Sequence, residues 1–195
     1  MTSRIEEFRG DHEKQSNIII CIDGPSGAGK GTLAEMIAEE LDVNHFSASD
    51  VFYMIAEEKG LTGLELSEQA DKEVDLQIDR RTLKKALKED CVVDGRITAW
   101  VLGDYADLSI YLTADEDERG RRVAEREDEE IEKAVEDTRK RDRENKRRYR
   151  EYYGIDTSDR SIYDVLMDNT DMSLEEERKE LEKLLRKQNM IQGGA

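Results

Sequence analysis

At 195 residues the chain is long enough for one domain with a core of useful size. Charged residues make up 41% of it, and 48 Asp plus Glu against 31 Lys plus Arg leave a formal charge of −17. A field of that sign repels phosphate, which argues against a general nucleic-acid or anionic-membrane binder, and the longest apolar run, Ile18 to Ile22, is too short to span a bilayer.

In chain order, residues 1–16 are polar and mixed in charge, which reads as a loose arm and not as a signal peptide. Asn17 to Asp23 reads as a fully buried strand that runs into a glycine. Gly31 to Leu41 follows with Leu33, Met36, Ile37 and Leu41 on one helical face. Further strands are predicted at 43–46, 91–93, 108–112 and 163–167. Helices are predicted at 49–60, 67–89, 115–153 in two pieces, and 173–189, the last opening on a Ser173/Glu176 capping box. Buried strands alternating with helices predict an α/β fold of three layers, with a parallel sheet covered on both faces.

Cys21 and Cys91 both sit in strand-like apolar runs and read as small buried hydrophobes. His12 and His45 are isolated, with neither the spacing of a metal site nor a triad. The acidity has two readings, a very soluble helix-rich surface or adaptation to multimolar salt. A cytoplasmic protein is the default expectation.

The strongest motif is GPSGAGKGT, formed by Gly24, Pro25, Ser26, Gly27, Ala28, Gly29, Lys30, Gly31 and Thr32. It follows a buried strand and opens an amphipathic helix, the context that a phosphate-binding loop requires. Glycines let successive backbone N–H groups converge without Cβ clashes, the helix N-terminus adds its dipole, and Lys30 supplies a point charge. Gly31 stands where many such loops carry the Ser or Thr that holds Mg²⁺, so phosphates and waters are expected to hold the metal instead.

The run DGPSGAGKGT resembles nucleoside monophosphate kinases. With HFSASDVF, IDRR at 78–81, VVDGR at 92–96, YADLSIYL, the arginine pattern from Arg119 to Arg126 and YYGIDTSDRSIYD at 152–164, it most resembles archaeal-type cytidylate kinases. The likeness covers about 17–185. It implies a P-loop kinase fold with five parallel strands, a monophosphate-binding insertion at about 48–90 and a short lid at about 115–135. It also implies transfer of a phosphoryl group from ATP to CMP, and to dCMP, with Mg²⁺. The partners implied are these small molecules alone, with no nucleic acid and no membrane, and a monomer is the simplest expectation.

Asp94 ends an apolar strand, where a carboxylate can fix a water on Mg²⁺ or simply form a turn. By resemblance Arg96 grips the acceptor phosphate, while Arg119, Arg122, Arg126 and Arg141 clamp the phosphates, with Asp50 on the substrate side. Lys30, Arg96, Arg122 and Arg141 form the expected catalytic set. From Arg139 to Arg150 there are eight Lys/Arg and two acids, read either as a solvated helix or as a cleft wall that presents Arg141, Asp142 and Asn145. An acceptor phosphate is ionised at neutral pH, its second pKa being about 6, so no general base is needed. After the second strand the family runs glycine, acid, two variable residues and arginine; here the run is Ser49, Asp50, Val51, Phe52, Tyr53. The glycine and the arginine are missing, and Tyr53 offers one neutral donor. The alternatives are an AMP or UMP kinase, a shikimate-type kinase with Asp50 as base, and a nucleotide-binding regulator without turnover.

Overall fold

Ile19–Asp23 (β1) is buried along its whole length because its side chains alternate between two apolar layers. Ile19 and Cys21 face one layer with Phe46, Leu83, Val93 and Leu102, and Ile20 and Ile22 face the other with Leu33, Ile37, Leu108 and Leu185. A computed structural model describes residues 3–61, 65–66 and 72–191. Lys30–Leu41 (α2) leads to Asn44–Ser47 (β2) and Ala48–Glu58 (α3), and Lys72–Ala86 (α4) leads to Cys91–Gly95 (β3). Thr98–Leu102 (α5) precedes Leu108–Thr113 (β4), then Glu116–Glu127 (α6), Ile131–Tyr153 (α7), Val165–Asp168 (β5) and Leu174–Lys187 (α8).

The five strands pair in parallel in the order β2-β3-β1-β4-β5, with Ile19 opposite Cys91 and Ile20 opposite Leu108. The predicted strands and helices are all present, with ends shifted by a few residues. Residues 67–71 of the helix predicted at 67–89, and 62–64 of the expected insertion, lie outside the described residues. Both cysteines are buried on the same face of the sheet, and burial pushes the Cys91 thiol up to about 12, which leaves it inert.

Two elements depart from the sequence reading. Residues 1–16, expected to be a loose arm, carry a helix at Arg4–Arg9 (named αN here) with a Ser3/Glu6 capping box. Its buried Ile5 and its Phe8 pack against the layer that holds Tyr153. Arg9 donates to the carbonyl oxygens of Trp100 at 2.7 Å and Val101 at 3.1 Å. One apolar pair in six residues is too short a pattern to show helical periodicity. Helix α5, five residues long, is likewise too short to show a helical pattern in the sequence. Its first N–H groups, on Thr98 and Ala99, donate to the Asp23 carboxylate at 2.6 and 2.9 Å, so the end of a distant strand caps it.

Candidate active site

After β1 the chain fills one side of the sheet and then crosses to the other, which leaves a crevice at the carboxyl ends of the strands. The phosphate loop lies there, beside a cavity of about 280 Å³ lined by Pro25, Arg96, Arg119, Asp142, Asn145 and Tyr149 among others. A wider recess of about 450 Å³ lies at the opposite ends of the strands, against Asn17, Asn44 and Asp90. It holds none of the motif residues, and parallel sheets bind ligands at the carboxyl end.

The loop's glycines are required by space. A Cβ on Gly24 would lie 2.1 Å from the Leu112 carbonyl oxygen, and one on Gly27, whose φ is +78°, would lie 2.4 Å from that of Arg119. A loop that turns its N–H groups inward leaves carbonyls facing out, and three cations satisfy them. Lys30 Nζ donates to Pro25 O at 2.8 Å, Arg119 Nη1 to Ser26 O at 2.8 Å, and Arg122 Nη1 to Ala28 O at 3.3 Å. Burial, then the nearby Arg96 charge, brings Lys30 down to about 8, so it still carries its proton at neutral pH.

Around the loop's mouth, cations and one N–H converge on a single carboxylate. Asp142, on α7, accepts from Ser26 N–H at 3.1 Å, from Arg96 Nη1 at 3.2 Å and from Arg119 Nη1 at 2.8 Å. Arg96 Nη2 also donates to Ser26 Oγ at 2.6 Å. Asp94, at the end of β3, pairs with His45 Nε2 at 2.8 Å, and this bond raises the imidazole above its ordinary pKa. Asp94 therefore offers one hard carboxylate beside the loop. That is the donor type Mg²⁺ takes when waters and phosphates supply its other ligands.

The other expected residues divide. Arg122 is tied to Asn169 Oδ1 and O, both at 3.0 Å, and to Glu118 at 2.8 Å, which locks α6 to the loop and to the end of β5. Arg126 and Arg141 both pair with Glu127, are exposed, and do not line the cavity. Asp50 is exposed and accepts the Ser47 N–H at 2.7 Å, closing the capping box of α3. Tyr53 is exposed on the same helix. Gly31 and Thr32 lie in the first turn of α2.

The polar stripe on α7 does form a cleft wall, but through Asp142 and Asn145 and not through Arg141. Much of the basic island is instead surface pairing, such as Arg147 with Glu144 and Glu151. Sequence reasoning missed His45 and also Arg160, which lies over the Tyr111 ring at 3.6 Å and lines the same cavity. No spacing in the sequence signals either contact, since each is made between separate strands and loops.

Comparison with known proteins gives a match to the cytidylate kinase-like family over residues 19–171. A protein of Staphylothermus marinus named cytidylate kinase is 41% identical over 160 residues, covering 81% of this chain and 90% of that one. A protein of the same name from Natronomonas pharaonis is 40% identical over 159 residues, covering 80% and 83%. Among solved structures, a shikimate kinase of Bacteroides thetaiotaomicron superposes with a TM-score of 0.58 over 88% of this chain and 98% of that one. At 13% identity that likeness speaks for the shared fold alone.

Proposed function

The chain belongs to the cytidylate kinase-like family, and from that premise we propose that it is a phosphotransferase that phosphorylates CMP, and also dCMP, at the expense of ATP. The observation that carries this reading is the convergence of Ser26 N–H, Arg96 and Arg119 on one carboxylate beside Lys30. Groups that hold a carboxylate in that way hold a phosphate by the same charge-assisted bonds.

The phosphate loop and Lys30 bind the terminal phosphates of ATP, and Arg96 orients the acceptor phosphate against them. Arg119 joins Arg96 on the phosphoryl group that moves, competing with Asp142 for it. Arg122 keeps the loop in shape through Ala28 O, while Arg126 and Arg141, with the lid at about 115–135, close over the nucleotides and exclude water. Asp94 is the residue that would hold Mg²⁺, and the ion when bound would neutralise charge on the phosphates. Asp50 starts the helix of the monophosphate-binding insertion at about 48–90, on the substrate side. The acceptor oxygen is already ionised, so catalysis is positioning and electrostatics. Among the described residues no helix is long and apolar enough to cross a membrane, and we read the protein as a cytoplasmic monomer acting on small molecules without nucleic acid.

The test is a coupled ADP-release assay with MgATP and, in parallel, CMP, dCMP, UMP, AMP and shikimate, at low and multimolar KCl. Turnover of CMP far above AMP and shikimate is expected, with Arg96→Ala raising the monophosphate KM as well as lowering kcat. Turnover of shikimate alone would overturn the reading and make Asp50 the base.

A further inference from the structure

The wall of the cavity continues beyond the phosphate contacts. Asn145 and Tyr149 extend it along α7, and about 9 Å of helix rise separates Asp142 from Arg148. That is the order of the reach from a 5′-phosphate across a ribose to the edge of a base. At this point Arg148 Nη2 donates to Asn145 Oδ1 at 2.7 Å, and Nη1 pairs at 2.9 Å with Asp75 Oδ2 from α4. Arg148 Nε is buried without a hydrogen-bond partner among the described residues. Asn145 joins the pair to the cavity, because it lines the wall and accepts from Arg148.

Neither Asp75 nor Arg148 is among the residues that hold the phosphate loop or its arginines. A half-buried Asp–Arg pair is also a poor stabilising device, since desolvation offsets most of the attraction. It is better suited to recognition, because it presents an acceptor and a fork of donors side by side.

We propose that Asp75 and Arg148 read the base of the monophosphate, with the Asp75 carboxylate accepting the exocyclic amino group of cytosine and Arg148 donating to N3 and O2. The inference rests on the cytidylate kinase reading above and names the specificity residues of that site. Cytosine shows a donor followed by two acceptors along this edge, and a carboxylate is the natural partner of its amino group. Uracil in the same pose sets its O4 against the carboxylate and its N3–H against the guanidinium. A site built on buried polar groups rejects such a mismatch strongly.

The test compares kcat/KM for CMP and UMP in wild type, Asp75→Asn and Asp75→Glu, with KM for ATP and thermal unfolding measured on each. Asn can donate to O4, so the CMP-to-UMP ratio is expected to fall at least tenfold in Asp75→Asn while KM for ATP holds; Asp75→Glu keeps the preference for CMP. An unchanged ratio, with activity on both substrates or thermal stability reduced together, would make the pair a structural brace and overturn the proposal. Should Asp75→Asn not fold, Arg148→Gln decides by the same ratio. A wild type without CMP turnover would sink the kinase reading itself, whereas an active wild type with an unmoved ratio sinks only the assignment of the base.

Discussion

At the phosphate end of the cleft, backbone fixes the geometry: Gly24 and Gly27 have no room for a Cβ, and the outward carbonyls of Pro25, Ser26 and Ala28 are each held by a cation. At the other end the same helix, α7, meets α4 through side chains alone, Arg148 with Asp75 and Tyr153 with Asp79. The first arrangement leaves Gly24 and Gly27 without a substitute, and its Lys30 still carries its proton at neutral pH. The second, where burial brings Asp79 up to about 7, can be rebuilt one side chain at a time. The phosphate loop thus sits where the backbone dictates it, and the residues proposed to read the base sit where side chains alone make the contact.

Three changes sharpen that contrast. The largest effect is expected from Lys30→Ala, which removes the buried charge proposed to meet the terminal phosphates. By analogy with the loss of a preorganised donor, kcat falls by about a thousandfold or more, read by steady-state kinetics at saturating CMP and ATP. Next comes Gly27→Ala. Alanine there would hold its backbone in the left-handed region and press its Cβ onto the Arg119 carbonyl oxygen, and strain of about 1–3 kcal/mol weakens ATP binding about tenfold or more in calorimetry. Equal ATP affinity in this variant would show that the loop is not held by backbone.

The smallest is Asp79→Asn, at the side-chain end. Burial holds Asp79 up to about 7, against the pull of the hydrogen bond from Tyr153 and well above the unfolded value of about 4. Between those values the unfolded chain has given up this proton while the folded protein still keeps it, so the group withdraws stability as pH rises from about 4 to about 7. Asparagine carries no such cost and still accepts the Tyr153 hydroxyl. The melting temperature of Asp79→Asn relative to wild type should therefore climb from pH 5 to pH 7 and level off above it. A flat difference across that range would place the ionisation of Asp79 below the measured window.

Much of this was legible in the sequence. The Ile-rich run of β1 and the glycines after it mark strand, loop and helix together, because one local pattern specifies all three. Arg96 and Arg119 also stand where the motifs put them, around the mouth of the loop. Arg126 shares a helical face with Arg119, but about 10 Å of rise along α6 carries it beyond the loop. Arg141 and Asp142 are neighbours on a helix, turned about 100° apart, so only one of them can face the cleft. Charge type favoured the arginine, and packing chose the aspartate. The capping of α5 by Asp23 and the pairing of His45 with Asp94 join residues far apart in the chain, which local pattern does not reveal.

Helix α7 runs 23 residues, about 34 Å, and αN fastens its last turns through Arg4 on the Glu151 carbonyl at 3.2 Å and the Phe8 ring against Tyr153. The same helix is tied again at Asp142, by Ser26 N–H, Arg96 and Arg119, about 16 Å of rise before Tyr153. Asn145 and Tyr149 lie between the two anchors, so the cleft wall is a braced span. The short polar stretch ahead of β1, which touches no reacting atom, thus serves as one of its two abutments.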